Sequence, residues 1–255
     1  MLQDVLGAAF LAASGTVAGV GISGVATHFT RDQSLWPVPS CPHCGVVRRL
    51  SLVPLVGVVA QGGKCPACDA RSHRLLPLFV QVLVAVLFVF LYGQFGLSVR
   101  LAIACVETAV LVAIALIDAQ HRLIPTLLVY PTIVFAILVS SAWPDLGIIH
   151  SAIGAAIGFV MFFALALFAR VTFGEGALGG GDVMLAGLIG AICGYPLVIL
   201  ALAMGALLGG VGAVLSIILK RSAFGTTMPY GPYLVAGVLY IMLSGDLIHP
   251  PFTMP

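Results

Sequence analysis

Long apolar runs, broken at intervals by Pro, Gly and isolated charges, dominate the chain, and roughly 20 apolar residues cross a bilayer core as a helix. The runs resolve into eight elements, at about 5–26, 75–92, 98–117, 125–143, 147–169, 183–194, 196–219 and 231–246. The sixth and seventh come from one nearly uncharged run, 183–219, divided at Cys193-Gly194-Tyr195-Pro196; left whole, it gives seven spans and reverses the side of the C-terminus. Polar positions gather between the first and second elements. The pattern therefore predicts an all-α polytopic membrane protein of about eight transmembrane helices. Its parts are a first helix over 1–26, a small polar insertion over 27–74 and a helical membrane domain over 75–255. A cleaved signal peptide opens with basic residues, whereas residues 1–7 carry only Asp4 as a charge, so the first run reads as a retained span.

Composition agrees. Of the 255 residues 61% are hydrophobic and 8% charged, where a soluble domain carries about 25% charged residues. The net charge of +2 is small and its basic residues are scattered, which excludes the concentrated basic face that nucleic-acid binding needs.

The basic residues also orient the chain. Arg31, Arg48, Arg49, Lys64, Arg71 and Arg74 fall in the first loop, Arg122 in the third, Arg170 in the fifth, and Lys220 and Arg221 in the seventh. Only Arg100 falls on the opposite side. By the positive-inside rule the odd loops, the 27–74 insertion among them, face the cytoplasm and both termini face outward.

Within that insertion, Cys41-Pro42-His43-Cys44 is followed by Cys65-Pro66-Ala67-Cys68. Two such knuckles place four thiolates tetrahedrally around Zn²⁺, which then organises a zinc-ribbon-like loop too small to build its own core. Two disulfides would use the same residues, but the predicted cytoplasmic side is reducing. Four protein ligands leave no open position on the metal, so Cys41, Cys44, Cys65 and Cys68 predict a structural site, with His43 and His73 as bystanders. Cys105 and Cys193 lie singly in apolar runs and read as small buried hydrophobes.

Of the nine acidic residues, Asp4, Asp32, Asp69, Asp145, Asp246 and Glu175 sit where solvent reaches them. Asp118 closes the third span and Asp182 opens the sixth, both at the cytoplasmic edge. Singly, they read as an interfacial anchor and a helix N-cap. Together they lie at one membrane depth, and Gly179, Gly180 and Gly181 ahead of Asp182 read as a supporting loop that lets backbone or an extended substrate come close. Two carboxylates a few ångströms apart do not both ionise readily: one keeps a proton while the other activates water, the division of labour that peptide hydrolysis needs. Glu107 lies mid-span on nearly the same helix face as Arg100 and Asp118. At about 16 Å along the helix it is too far from Asp118 to join that pair, and it reads as a packing residue, protonated or paired with Arg100.

With these residues in place, the chain resembles the prepilin peptidases, the type IV leader peptidases. Their Gly-x-Gly-Asp motif stands here as Gly179-Gly180-Gly181-Asp182, and their first aspartate, in an Ile-Asp-x-x-x-x-x-x-Pro setting, matches Ile117, Asp118 and Pro125. Pro229-Tyr230-Gly231-Pro232-Tyr233 resembles Pro-Phe-Gly-Pro-Tyr, Val53-Pro54-Leu55-Val56 resembles Ile-Pro-Leu-Val, and Gly63-Lys64-Cys65 fits Gly-x-Cys. The resemblance implies a membrane aspartic endopeptidase with Asp118 and Asp182 as catalytic residues. Its partners would be type IV prepilins or type II secretion pseudopilins, cut after the glycine of a basic leader at the cytoplasmic face of the bacterial inner membrane. Many members also methylate the new N-terminus with S-adenosylmethionine. Departures bear on that second activity. Gly21-Ile22-Ser23-Gly24-Val25 replaces Gly-Ser-Phe-Leu-Asn, Gln81 stands in Leu76-Pro77-Leu78-Phe79-Val80-Gln81 where Glu is usual, Thr126 follows Pro125 where Asp or Asn is usual, and Met184 replaces a frequent lysine. Cleavage with weakened methyl transfer is the expectation.

Two other readings compete. A proton- or ion-coupled transporter would use Glu107, Asp118 and Asp182 as carriers around helix-breaking glycines. An assembly protein docking a partner through its zinc loop would leave the paired aspartates without a role.

Overall fold

A computed structural model describes residues 2–32, 68, 75–143, 146–174, 179–219 and 229–244. Among them are eight α-helices, one short 3-10 turn and no strand. In chain order the helices are α1 (Leu2–Asp32), α2 (Leu75–Phe95), α3 (Val99–His121), α4 (Thr126–Val139, continued by a 3-10 turn over Ser140–Ala142), α5 (Gly147–Phe173), α6 (Gly180–Cys193), α7 (Leu197–Ile218) and α8 (Gly231–Leu243). Five of them, α1, α2, α3, α5 and α7, are long and apolar enough to cross a membrane, which makes this a multi-pass membrane protein. Contacts group the chain into two compact units, Met1–Ala113 and Ile114–Pro255.

In the first unit α1 packs along α2 through small residues one turn apart. A Cβ on Gly15 would fall 2.7 Å from the Cα of Ala85, and one on Gly19 would fall 2.6 Å from that of Gln81. Lipid offers no hydrophobic drive for helix association, so close backbone approach at small residues supplies the contact. Hydroxyls along α1 satisfy themselves locally: Ser14 Oγ donates to the Leu11 carbonyl at 3.0 Å and Ser23 Oγ to the Gly19 carbonyl at 2.8 Å. α1 runs to Asp32, six residues beyond the expected end at 26, because neither Pro nor Gly interrupts Thr27-His28-Phe29-Thr30-Arg31.

The second unit is built around α6. This helix has only 14 residues, about 21 Å of length, and every residue from Leu185 to Cys193 is buried. It is apolar on all sides because protein, not lipid, surrounds it. α5 and α4 pack on it. On α5, Gly154 faces the backbone of Gly190 and Gly158 faces that of Ala186, while Ser151 Oγ donates to the Ala191 carbonyl at 2.6 Å. The run 183–219 is indeed broken where Cys193-Gly194-Tyr195-Pro196 predicts: Gly194 takes the left-handed conformation at φ 67° and its N–H donates to the Gly190 carbonyl at 2.8 Å, closing α6. α7 then pairs with α8, where Gly237 meets the backbone of Ala201 and Gly205.

Candidate active site

Asp118 lies within the last turn of α3, one turn further into helix than the sequence pattern places it, and only 5% of it is exposed. Arg122 closes the helix. Its backbone takes φ 54°, a left-handed conformation uncommon outside glycine, and its N–H donates to the Asp118 carbonyl at 2.7 Å. The chain then passes through Leu123, Ile124 and Pro125 into α4. Ile124 is buried, and Gly181 lies directly against it: a Cβ on Gly181 would fall 2.8 Å from the Ile124 Cβ. The turn that follows Asp118 is thereby packed on the turn that carries Asp182.

Asp182 does not cap α6. Gly179 is the N-cap, Gly180 and Gly181 are already helical, and Asp182 is the third residue of the first turn. Its N–H donates to the Gly179 carbonyl at 3.1 Å, and its carboxylate receives a backbone hydrogen bond from Gly179 in return. Asp182 thus supplies the N3 half of a capping box, while the glycine in the cap position has no side chain to supply the other half. A Cβ on Gly179 would lie 3.3 Å from Asp182 Oδ2, whereas around Gly180 there is open space.

The two carboxylates, 64 positions apart in sequence, lie in one unit and close enough for the Asp118 charge to act on Asp182. Two residues that sequence reasoning gave no role complete the surroundings. The Gly231 N–H, at the start of α8, donates to Asp118 Oδ2 at 2.8 Å in a buried hydrogen bond. Tyr230, just ahead of the helix, rests its ring on Gly209 of α7 and sends its hydroxyl to the Ala206 carbonyl at 3.4 Å. Burial first, and the Asp182 charge second, hold its phenol above the ordinary tyrosine value, so it stays neutral and able to donate. The available signal for both was Pro229-Tyr230-Gly231-Pro232-Tyr233, a glycine fenced by prolines at the mouth of a helix.

Glu107 is buried in α3 in the first unit, 3% exposed. Gln81 is buried on α2, its Oε1 without a hydrogen-bond partner among the described residues. Cys41, Cys44 and Cys65 lie outside the described residues, as does nearly all of the 27–74 insertion; Cys68 is exposed.

Two family patterns match the chain. The pattern of the type IV leader peptidase family matches residues 105–214, and that of the bacterial peptidase A24 N-terminal domain matches residues 14–95. A prepilin leader peptidase/N-methyltransferase of Pseudomonas aeruginosa is 30% identical over 213 residues, covering 83% of this chain and 73% of the relative. A protein of the same name from Bacillus subtilis is 30% identical over 218 residues, 83% and 84% of the two chains. One from Dichelobacter nodosus is 32% identical over 220 residues, 85% and 75%. No solved structure matches. Likeness of this extent, running through both units and through the segments that carry Asp118 and Asp182, places the chain in the type IV leader peptidase family, the prepilin peptidases.

Proposed function

We propose that the protein is an aspartic endopeptidase that removes the basic leader of type IV prepilins or type II secretion pseudopilins after its glycine, with Asp118 and Asp182 as the catalytic pair. The observation that carries this reading is that Asp118 and Asp182, at the ends of two helices, lie near enough for the Asp118 charge to act on Asp182, each carboxylate steadied by one backbone donor. In such a pair one carboxylate takes a proton from water as the water attacks the scissile carbonyl, and the other, protonated, donates to the carbonyl oxygen. The tetrahedral intermediate then collapses as the amine leaves with a proton. The open space around Gly180 leaves room for an extended substrate strand beside the pair.

In the same reading the pair and the 27–74 insertion face the cytoplasm from the bacterial inner membrane, and all eight helices serve as spans or as buried core elements between them. Cys41, Cys44, Cys65 and Cys68 hold one Zn²⁺. Four thiolates make a closed, structural donor set, so the metal orders the insertion and takes no part in hydrolysis. The relatives' name includes N-methyltransferase. On this chain that second activity, with S-adenosylmethionine as donor, is read as weakened, since Gln81 supplies a neutral amide where a carboxylate is usual.

The experiment is incubation of purified full-length protein in detergent or liposomes with a prepilin, followed by mass measurement of the product. Loss of the leader after its glycine supports the reading; an intact substrate with a folded enzyme overturns it.

A further inference from the structure

We propose that Gly231 is a positioning residue for Asp118: its N–H tethers the carboxylate by Oδ2, and its lack of a Cβ is what allows the tether. The proposal rests on the Asp118–Asp182 reading above.

Gly231 is the first residue of α8, and the first N–H groups of a helix have no carbonyl within the helix to receive them. In this turn Pro232 has no N–H at all, and the N–H groups of Tyr233 and Leu234 both turn back to the Tyr230 carbonyl, at 3.1 and 3.3 Å. The Gly231 N–H instead points outward, to a carboxylate 113 positions earlier in the chain, at 2.8 Å. Such a donor at the positive end of a helix favours an anion. With Oδ2 held in this way, Oδ1 of Asp118 is the oxygen left to handle the reacting water.

The missing side chain matters as much as the N–H. A Cβ on Gly231 would fall 2.7 Å from Asp118 Oδ2, 3.0 Å from its Cγ and 3.2 Å from its Cβ. Among the described residues nothing else stands so near, and the end of an aspartate side chain yields by rotation. An alanine at 231 would therefore be accommodated by turning the Asp118 carboxylate aside, with little strain on the helix. Gly237, two turns along the same helix, differs in what would have to yield. A Cβ there meets the Ala201 carbonyl and, at 2.6 and 2.9 Å, the Gly205 N and Cα, all of them backbone atoms. Gly237 serves the packing of α8 on α7, and Gly231 serves the carboxylate.

The test compares Gly231→Ala, Gly237→Ala and Asp118→Asn in the full chain, measuring kcat and KM on a prepilin together with the melting temperature. For Gly231→Ala the expected result is a Tm within about 3 °C of the parent, KM within about twofold and kcat lowered about 100-fold, as misplacement of a reacting group by an ångström produces. Gly237→Ala is expected to lower Tm while kcat per folded molecule stays within about threefold. A folded Gly231→Ala protein with kcat within about threefold of the parent, or one that loses activity only in step with its folded fraction, overturns the proposal. If Gly231→Ala does not fold, the double variant Asp118→Ala, Gly231→Ala decides. Folding restored once the carboxylate is gone supports the proposal, and continued failure to fold overturns it. Near-normal cleavage by Asp118→Asn would overturn the dyad reading itself; an inactive Asp118→Asn beside a fully active Gly231→Ala would overturn this inference alone.

Discussion

Gly181 lies against Ile124, so closely that a Cβ on the glycine would fall 2.8 Å from that of the isoleucine. Through this contact the turn after Asp118 and the first turn of α6 are held in register. Gly181→Ala is therefore expected to push the two carboxylates apart and to lower kcat by about 10- to 100-fold. Gly180→Ala, entering open space, is expected to leave kcat within about threefold and to act, if at all, through KM. Steady-state kinetics on a prepilin would check both, and equal effects of the two alanines on kcat would contradict this account of the glycine run.

Cleavage is expected to fall away on both sides of a pH optimum. Acid and base chemistry from two carboxylates needs one proton shared between them, and Asp182 feels the charge of Asp118, so protons leave the pair in two macroscopic steps. At low pH both are protonated and no base remains; at higher pH both are ionised and no acid remains. A kcat/KM profile with a single limb between about pH 4 and 9 would contradict a shared-proton mechanism.

The apolar runs and the break at Gly194 were readable because they are local: a helix core and a left-handed cap each need only a few neighbouring residues. Asp118 and Asp182 stood out as candidates because carboxylates are rare in so apolar a chain. Ile124 and Gly231 did not, since what they do depends on partners 57 and 113 positions away, Gly181 and Asp118, and an isoleucine in an apolar chain carries no mark of its contact. Nor did the sequence distinguish α6, wrapped in protein, from helices that face lipid, because both environments select apolar side chains. The place of Asp182, third in the helix and not at its cap, was missed for a similar reason. Three glycines read as a loop, yet two of them lie in the helix, with Gly181 seated on Ile124.

The insertion is expected to carry one zinc ion per chain. Replacing Cys41 and Cys65 by Ser removes one thiolate from each knuckle, so metal analysis should show zinc lost and limited proteolysis should show the insertion cut more readily. Stoichiometric zinc retained by that variant would remove these cysteines from the site.

The product is expected to leave largely unmethylated even with S-adenosylmethionine in excess. A sulfonium and an incoming ammonium are both drawn to a carboxylate in a low-dielectric site, and the neutral Gln81 offers far less attraction. Gln81→Glu should then raise the methylated fraction, read as the mass of the mature product. Full methylation by the parent protein, at the rate of cleavage, would show that this position does not govern the transfer.

The most direct test of the central claim is the cleavage rate of Asp118→Asn and Asp182→Asn, each measured on folded, membrane-inserted protein with a prepilin substrate. Asparagine keeps the size and removes the acid–base function, so each variant alone is predicted to lower kcat by at least about 100-fold. Either single variant cleaving at close to the parent rate would contradict the claim.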